Sequence, residues 1–491
     1  MQIIRETRSL CPECLKTLDA TVYEKDNAVY IKKTCPVHGE FNDLYWSDYE
    51  LYKWAEKYYH KGTPIANPQT KHLKDCFFNC GLCDNHKSQT VLAIIDVTSR
   101  CNMVCPGCFA SSGGATSVYE PTKEQVSRML ETLRANKPSP PRAIQFSGGE
   151  PTLRDDLPEL VKTAKAIGFE HAEVNTNGLR IAEDLDYFKR LFDAGVSTFY
   201  LQFDSLRPEV TIRMRGANFL PQKLKVIENA RKIGLDSIVL VVTLAKGIND
   251  KDLGSLIEFA VKNSDVIRCV NVQPISFAGR GKDLDPKSHR ITVSDFMKLV
   301  EEQTEERVST TDFRPVPWPI PIARIMGAMK GKAYPEFSAA PWCGVATFLV
   351  VDKKGSYTPI THFVDVDKFC EAFQKAGEAA EKGHKTKAKL LMLGSLRHAK
   401  LGIIKDLLGG VIKTGSYHSL GKFMRRVVML GAMHFQDYGN LDLYRMERCV
   451  IHYATPDPEH PIIPFCSYNS YWRPIIEQKY STPYQVARRS A

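Results

Sequence analysis

The strongest constraint on the fold of this chain is a run of three cysteines that directly follows an apolar segment. The segment VLAIIDV, residues 91–97, is typical of a strand buried on both faces of a parallel sheet. Cys101, Cys105 and Cys108 follow it in the stretch CNMVCPGC. In α/β barrels the chemistry is carried by the residues just after the strands. We therefore expect these three thiols at the mouth of an α/β fold.

The same strand pattern recurs along the middle of the chain. Each recurrence follows a segment with helical periodicity, such as TKEQVSRMLETLRA before AIQFS. Six strands with intervening helices predict a partial (β/α)6 TIM-type barrel. The predicted strands after the first span residues 143–147, 171–176, 198–204, 237–244 and 266–275.

Polar and glycine-rich motifs lie where these strands end. The second strand runs into FSGGEPTL, in which Gly148 and Gly149 leave the backbone open to a ligand and Glu150 adds an anionic acceptor. The third strand ends at NTNG and the fourth at QFDS. Because the carboxyl ends of parallel strands share one edge, all these motifs are expected to face one mouth.

Near the N-terminus, CPEC and CPVH form a pair of metal-binding turns around a β-like segment. Cys11, Cys14, Cys35 and His38 supply four ligands of the kind that bind zinc or a single iron in tetrahedral geometry. Four protein ligands leave no open position, so a structural role is favoured. A ribbon that grips nucleic acid is the alternative, but few basic and aromatic residues are interleaved here. We expect no nucleic-acid partner.

A second CxxxCxxC motif precedes the barrel. Cys76, Cys80 and Cys83 in CFFNCGLC indicate an iron–sulfur cluster that takes its fourth ligand from elsewhere. The alternative is a second zinc site completed by His72 or His86.

Most of the fourteen cysteines are interpreted as metal ligands because the sequence predicts a cytoplasmic protein. The N-terminal MQIIRETRSLCPEC lacks the apolar core of a signal peptide, and apolar runs such as IVLVV are too short to span a bilayer. Thiols in the cytoplasm stay reduced, so ligand-like spacings there favour metal over disulfides.

The barrel motifs resemble those of the radical S-adenosylmethionine (SAM) superfamily: CxxxCxxC follows the first strand and GGEP the second. The resemblance covers about residues 88–310. It implies that Cys101, Cys105 and Cys108 bind a [4Fe-4S] cluster whose fourth iron takes the amino and carboxylate groups of SAM. One departure is that Gly107 replaces the usual aromatic residue before the last cysteine. The SAM contacts implied by the resemblance are Gly148, Gly149, Glu150, Asn175, Gln202, Asp204 and, for adenine, Phe109.

The C-terminal part begins near the proline-rich stretch 314–325, which is expected to be a linker. WCGVATFLVVDKKGSYTPI then resembles the start of an auxiliary-cluster domain found behind many radical SAM barrels, although Ile360 and Thr361 stand where a cysteine is usual. We expect a further [4Fe-4S] cluster here, and hence one or two auxiliary clusters in the chain. The alternative for each cysteine of this part is an inert thiol in the core. We prefer that interpretation for Cys269, which lies within a predicted strand. The four expected ligands are Cys343, Cys370, Cys449 and Cys466.

Residues 382–426 carry a net charge equal to that of the whole chain. They hold eight lysines and three arginines against the single acid Asp406, an excess equal to the formal charge of the whole chain, +10. Apolar residues recur at helical spacing between the cations. Basic amphipathic helices of this kind lie on anionic membranes. The alternative is a helical subdomain that packs on the barrel and leaves its basic face in solvent.

Taken together, these features resemble the archaeal tetraether lipid synthase group, also called macrocyclic archaeol synthases. The resemblance implies an enzyme that removes hydrogen from terminal methyl carbons of isoprenoid chains and joins them by a C–C bond. It implies a diether phospholipid substrate, peripheral membrane contact through residues 382–430, and an electron donor of the ferredoxin or flavodoxin type. A radical SAM methylase of a pterin-like heterocycle is the first alternative. A non-catalytic iron–sulfur carrier or nucleic-acid module is the second.

These expectations divide the chain into four parts. A metal-binding domain spans residues 1–60 and an auxiliary-cluster segment residues 61–90. The barrel spans residues 91–310, and an α-rich auxiliary-cluster domain with lipid-facing helices spans residues 311–491.

Overall fold

The computed structural model of the chain describes residues 1–71, 76–113, 117–400 and 427–483. Its eighteen described strands are β1 (Gln2–Leu10), β2 (Thr17–Lys25), β3 (Ala28–Cys35), β4 (Gly39–Trp46), β5 (Leu92–Thr98), β6 (Ser117–Tyr119), β7 (Ala143–Gly148), β8 (His171–Thr176), β9 (Thr198–Gln202), β10 (Ile238–Leu244), β11 (Ile267–Pro274), β12 (Arg314–Pro315), β13 (Gly344–Val351), β14 (Tyr357–Pro359), β15 (Val427–Met433), β16 (Ile451–Ala454), β17 (Ile462–Pro464) and β18 (Ser481–Pro483).

The described helices are interspersed with these strands. They are α1 (Tyr49–Glu56), α2 (Lys123–Arg134), α3 (Leu157–Ile167), α4 (Leu179–Glu183), α5 (Leu185–Asp193), α6 (Pro208–Arg215), α7 (Leu220–Ile233), α8 (Leu253–Lys262), α9 (Pro286–His289), α10 (Val293–Gln303), α11 (Ile320–Lys330), α12 (Val366–Glu381), α13 (Lys385–Gly394), α14 (Leu443–Met446), α15 (Phe465–Ser467) and α16 (Arg473–Tyr480).

The centre of the molecule is a parallel sheet made by the six predicted strands. Strands β5, β7, β8, β9, β10 and β11 pair in that order, each parallel to the next. Apolar side chains at alternate positions, such as Phe146, Val174 and Leu201, are fully buried against the helices. The predicted α/β fold is confirmed, and the described strands form an open series rather than a closed ring.

The N-terminal part is a separate four-stranded antiparallel sheet in the order β1–β2–β3–β4. Its core contains Val22, Val29 and Ile31, which are fully buried. Helix α1 follows, with the Asp48 side chain accepting from the Leu51 backbone N–H as its N-cap. The β-like segment between the two cysteine turns is therefore a hairpin, as its residue pattern predicts.

Residues after 311 continue the central sheet at both of its edges. Strand β15 pairs parallel to β11, and β13 pairs antiparallel to β15. At the other edge, β16 pairs parallel to β5 and β17 antiparallel to β16. The C-terminal part is thus not only α-rich, because it supplies strands that complete the sheet. The segment 434–450 passes from one edge to the other.

The expected linker at 314–325 is wrong. Arg314 and Pro315 form strand β12 against β13, and most of the remainder begins helix α11. Ile325 on α11 is fully buried and packs with Phe369 and Phe373 of α12. Proline at the start of α11 is compatible with a helix because the first N–H groups have no intrahelical acceptor.

Candidate active site and metal centres

The loop that carries Cys101, Cys105 and Cys108 lies directly after β5, at the carboxyl end of the parallel sheet. All three residues are half-buried. Burial, with contributions from Glu150 and the other two thiols, raises the pKa of Cys101 to about 12. A buried neutral thiol becomes a ligand when a metal displaces its proton.

The three barrel thiols are spaced more widely than the N-terminal metal ligands. Among the residues that the structure describes, only the N-terminal set of Cys11, Cys14, Cys35 and His38 brings its ligand atoms within 4.8 Å of one another. The three barrel thiols are near enough to shift each other's pKa but do not meet that limit. Three thiolates at this wider spacing are compatible with an iron–sulfur cluster in which one iron has no cysteine ligand.

Gly148 and Gly149 hold the cysteine loop against the second strand. The Gly149 N–H donates to the Thr98 carbonyl at 2.7 Å, and the Glu150 N–H to the Arg100 carbonyl at 2.7 Å. A Cβ at Gly148, whose φ is +133°, would lie 2.1 Å from the Thr98 oxygen. The two glycines are thus required by backbone contact with the segment leading into Cys101.

The Glu150 carboxylate lies inward and is bonded to protein groups. Its Oε1 accepts from the Thr176 hydroxyl at 2.7 Å and the Thr152 hydroxyl at 2.5 Å, and its Oε2 from the Asn177 N–H at 2.6 Å. Burial raises the pKa of Glu150 while these donors lower it. The side chain therefore ties the ends of β7 and β8 together.

Two cations that the sequence analysis did not single out lie beside the cysteine loop. Arg215 at the end of α6 donates to both Asp204 oxygens, at 2.7 and 2.8 Å, and hydrogen-bonds the Cys105 thiol. Lys223 on α7 donates to Gln202 Oε1 at 2.9 Å and to the Asn177 carbonyl. Burial and Arg215 lower the pKa of Lys223 to about 8. Helical cations usually face solvent, so only the fold identifies these two.

The face of the parallel sheet that points away from the helices, called here the inner face, is polar near the strand ends. Successive residues of a strand point to opposite faces, so the residues that alternate with the helix-facing apolar ones line the inner face. Glu173 accepts from Gln145 at 3.0 Å, and Asn175 donates to Ser147 at 3.5 Å. The half-buried inner-face residues include Asn175, Tyr200, Gln202, Thr243, Asn271 and Gln273.

Phe109 follows the last cysteine and contacts the C-terminal part. Its ring centroid lies 6.2 Å from that of Phe465, which stacks on Phe435 at 4.0 Å. Arg473 lies 6.0 Å from the Phe109 ring. The aromatic ring predicted to contact adenine is therefore part of a wall between the cysteine loop and the C-terminal residues.

The N-terminal ligand set is assembled as predicted. His38 Nδ1 lies 3.5 Å from Cys35 Sγ and 3.6 Å from Cys11 Sγ, and Cys14 Sγ lies 3.8 Å from Cys35 Sγ. Hydrogen bonding, first from the Val37 backbone, lowers the pKa of Cys35 to about 6. Four soft or borderline ligands at this spacing fit a tetrahedral zinc ion.

Zinc binding is expected to be lost when Cys14 is replaced by serine. Cys14 is exposed, so the change removes a ligand without leaving a core cavity. Loss of a residue that only hydrogen-bonds to a metal ligand lowers metal affinity by about 10–100-fold. Loss of a ligand itself should lower zinc affinity by more than that. Zinc content by mass spectrometry measures it. Val37→Ser, at a residue 78% exposed between two ligands, is the matched control and should keep its zinc. Equal zinc in both variants would contradict this assignment.

The second CxxxCxxC motif lies only partly within the described residues. Cys80 and Cys83 are buried, the backbone of Cys76 lies in a turn, and its side chain and His72 lie outside the described residues. His86 Nε2 lies 2.9 Å from the Cys449 carbonyl oxygen and 3.3 Å from His452 Nε2. The Nε2 atom of His86 is thus already engaged by these two groups. The cluster at Cys76, Cys80 and Cys83 stays a prediction.

The four late cysteines do not all come together. Cys343, Cys449 and Cys466 line one cavity. Cys370 lies on α12, where its thiol donates to the Trp318 carbonyl at 3.1 Å. Cys269 is buried at 2% exposure within β11, as expected for a core thiol. The expected four-cysteine site therefore lacks Cys370, because α12 packs on α11 rather than against the sheet end.

Most of the predicted lipid-facing segment, residues 401–426, lies outside the described residues. In the part that is described, Ala388 and Met392 on α13 pack into the cluster formed with α12, while Leu390 and Leu393 are exposed. Across the described ranges, each helix is too short or too polar to cross a membrane.

Two family models match the chain. The radical SAM superfamily matches residues 95–260, which contain the cysteine loop and the GGE motif. The HMPTM N-terminal zinc ribbon domain matches residues 3–47, which contain the four N-terminal ligands.

Known relatives extend the comparison. The 7,8-dihydro-6-hydroxymethylpterin dimethyltransferase of Methanocaldococcus jannaschii is 45% identical over 497 residues, which cover 99% of this chain and 97% of that protein. A probable GTP 3',8-cyclase of Methanothermobacter marburgensis is 31% identical over 192 residues, covering 38% of this chain and 60% of its own. The crystal structure of Streptococcus suis SuiB bound to S-adenosylmethionine has a TM-score of 0.37 and 17% identity, over 45% of this chain and 48% of that one.

The predicted lipid function is wrong. The 45% relative spans nearly the whole chain, including the basic segment 382–430, and it is a pterin dimethyltransferase. Basic residues around apolar ones therefore do not imply a lipid partner here, because such a helix can bury its apolar side against protein as well as in a membrane. The diether lipid substrate and the membrane surface lose their support. The non-catalytic alternative also fails, since the chain matches an enzyme over its length.

The cofactors follow from the superfamily and the ligand sets. A radical SAM enzyme uses S-adenosylmethionine and a [4Fe-4S] cluster, and it needs a reductant. The N-terminal zinc ribbon adds a metal site. This chain belongs to the family of the 7,8-dihydro-6-hydroxymethylpterin dimethyltransferase, within the radical SAM superfamily.

Proposed function

We propose that this protein is a radical SAM methyltransferase that acts on a reduced pterin, replacing C–H bonds by C–CH3 bonds. The observation that carries the proposal is the 45% identity to a pterin dimethyltransferase over 99% of the chain. Identity over the whole length, unlike the match to the cyclases over 38% of it, includes the parts outside the barrel that would recognise the substrate.

The inner face supports a polar substrate. Its half-buried side chains near the strand ends, among them Asn175, Gln202 and Gln273, carry amide groups that both donate and accept hydrogen bonds. A pterin ring carries donors and acceptors around its edge, and an isoprenoid chain carries none. A hydrocarbon offers no hydrogen-bonding group to a face of this kind, so a pterin matches its polarity better.

The residues of the cysteine loop would hold the cofactors. Cys101, Cys105 and Cys108 would ligate three irons, and the backbone of Gly148 and Gly149 would border the SAM amino group. When bound, the cluster supplies the electron that cleaves SAM and so provides a radical able to remove hydrogen from carbon. The packed rings of Phe109, Phe435 and Phe465 lie beside the loop, where they would help to exclude water.

Charged residues near the loop would orient SAM. Arg215 is held by Asp204 and reaches Cys105, so its charge is available to favour the thiolate form of that ligand. The Lys223 ammonium group donates a hydrogen bond to Gln202, and at that position it would face the SAM carboxylate. Asn175 and Gln202 would meet the ribose. Because Glu150 and Asp204 are fully engaged with protein donors, we assign them to positioning the strand ends and Arg215 respectively.

The test is anaerobic incubation of the iron-loaded protein with reductant, 7,8-dihydro-6-hydroxymethylpterin and SAM carrying an isotopically labelled methyl group. We expect the pterin to accelerate formation of 5′-deoxyadenosine and to gain one or two methyl groups by mass spectrometry. The label decides whether SAM is the methyl donor. A pterin that neither accelerates SAM cleavage nor gains mass, in protein that cleaves SAM, would refute the proposal.

A further inference from the structure

Glu173 is a buried carboxylate on the inner face of the sheet, and it has no role in holding the cysteine loop or SAM. It lies on β8 between Ala172 and Val174, which are fully buried against the helices. Because successive strand residues point to opposite faces, the Glu173 side chain lies on the inner face. The residue is 6% exposed. It precedes Asn175 by two residues and so lies about 7 Å farther from the carboxyl end of the sheet.

Two side chains of the inner face hold the Glu173 carboxylate in place. Gln145 Nε2 donates to its Oε2 at 3.0 Å, and His171 Nε2 lies 3.1 Å from its Oε1. The His171 imidazole carries a positive charge only when it is protonated. A carboxylate offers about four acceptor positions, and these contacts use two of them. Glu173 can therefore accept further hydrogen bonds from a ligand.

Two other buried carboxylates near these strands are each fixed by an arginine. Asp96 on β5 pairs with Arg473, and Asp204 after β9 pairs with Arg215. Glu173 instead contacts an amide and an imidazole. A buried carboxylate is costly unless charges or hydrogen bonds balance it. We therefore expect a ligand with hydrogen-bond donors to complete the surroundings of Glu173.

An apolar patch lies beside this carboxylate on the inner face. Its members are Tyr200, Val239, Val241, Cys269 and Met429. Four of them lie opposite one another on the adjacent strands β9, β10, β11 and β15, where they form a row across the sheet. Burial raises the pKa of Cys269, and the negative charge of Glu173 adds to that effect, so the carboxylate and the patch are neighbours. A flat ring could pack on the patch with one edge at Glu173.

A pterin has the chemistry that a carboxylate beside an apolar patch would recognise. Its ring is flat, and one edge carries the N3–H and the 2-amino group, which are two donors that a carboxylate can accept side by side. In 7,8-dihydro-6-hydroxymethylpterin every hydrogen on carbon belongs to C7 or to the hydroxymethyl group, at the opposite end of the ring. A pterin held at Glu173 by its amino edge would therefore direct its C–H bonds toward the strand ends, where the cysteine loop lies.

We propose that Glu173 selects the substrate by accepting hydrogen bonds from the N3–H and 2-amino group of a pterin whose ring packs on the apolar patch. The inference rests on the proposed function, since it takes the substrate to be a reduced pterin. Gln145 and His171 would position the carboxylate. Asn175 and Gln202 lie nearer the strand ends and stay free for SAM. The substrate and the cofactor would thus occupy successive levels of the inner face.

The test compares two ligands that differ at this edge, with the unchanged, full-length, iron-loaded protein under anaerobic conditions. One is 7,8-dihydro-6-hydroxymethylpterin, and the other is the corresponding lumazine, which carries a carbonyl oxygen that the carboxylate would repel in place of the 2-amino group. We expect kcat/KM for 5′-deoxyadenosine formation to be about 10–100-fold higher with the pterin, as for a hydrogen bond to a charged group. Equal acceleration by both ligands would overturn this inference and leave the proposed function standing. Acceleration by neither would refute the proposed function and this inference with it.

Variants then assign the preference to Glu173. Glu173→Gln should abolish or reverse it, because an amide can donate to the 2-carbonyl oxygen of the lumazine while it accepts from the N3–H. Glu173→Asp keeps the carboxylate and should keep the preference for the pterin. Glu170→Gln makes the same chemical change at an exposed residue just before β8, and as the matched control it should also keep the preference. A preference that Glu173→Gln leaves unchanged would overturn the inference, and a loss of stability alone would not reverse a choice between two ligands.

Discussion

Replacing Gly149 with alanine is expected to slow reductive cleavage of SAM by at least about 100-fold. A Cβ at Gly149 would lie 2.2 Å from the Arg100 carbonyl oxygen and 2.7 Å from that of Ser99. Both atoms belong to backbone that leads directly into Cys101, so the clash can be relieved only by moving the cysteine loop. A displacement of about 1 Å near reacting groups can cost about 100-fold in rate. We expect at least about that loss.

The rate of 5′-deoxyadenosine formation and the iron content of the protein measure this effect. Gly377→Ala is the matched control, because a Cβ there meets no atom within 4 Å and the residue lies in helix α12. It should keep wild-type cleavage and gain slightly in stability, since alanine favours a helix over glycine. Cleavage by the Gly149 variant within a few-fold of the Gly377 variant would show that the close contact does not hold the loop.

Replacing Arg473 with methionine is expected to lower the free energy of unfolding by about 3–5 kcal/mol. Arg473 on α16 is buried and paired with Asp96, which is 1% exposed on β5, and it also donates to Asn469 Oδ1 at 2.8 Å. Removing the cation leaves the Asp96 carboxylate buried without a counter-charge. Burial already raises the pKa of Asp96, and Arg473 is the largest opposing influence.

Chemical denaturation followed by circular dichroism checks this prediction. The double variant Asp96→Leu, Arg473→Met should recover most of the loss, because an apolar pair of similar volume removes the unpaired charge. Lys189→Met is the control, since it breaks the exposed Lys189–Asp193 pair on α5 and should leave the unfolding midpoint nearly unchanged. If the Arg473 and Lys189 variants unfold alike, the buried pair does not stabilise the fold.

The strands of the sheet were predictable because burial on both faces leaves a strong pattern. VLAIIDV was expected at 91–97 and the strand runs from Leu92 to Thr98, and the strand expected at 171–176 runs from His171 to Thr176. The N-terminal metal site was equally predictable, because its ligands lie in two short turns of one antiparallel sheet. Both signals are local, so neighbouring residues suffice to read them.

The C-terminal part was not predictable in the same way. The proline-rich stretch at 314–325 resembled a linker, yet it forms strand β12 and most of helix α11, because its prolines fall where no backbone N–H is needed. The charge of residues 382–426 was interpreted as a membrane surface. Composition describes which side chains need a partner, but it does not say whether that partner is lipid or protein.

The sequence by itself determined the radical SAM strands, the GGE motif after the second of them and the four N-terminal metal ligands, because each rests on residues close together in the chain. Only the tertiary structure decided that Cys343, Cys449 and Cys466 meet without Cys370, and that Arg215 and Lys223 face the cysteine loop. The three cysteines depend on β15 and β16, which pair with opposite edges of the parallel sheet, whereas Arg215 and Lys223 depend on how α6 and α7 pack beside the strand ends. Such long-range pairing brings distant residues together, and no local pattern of residues records it.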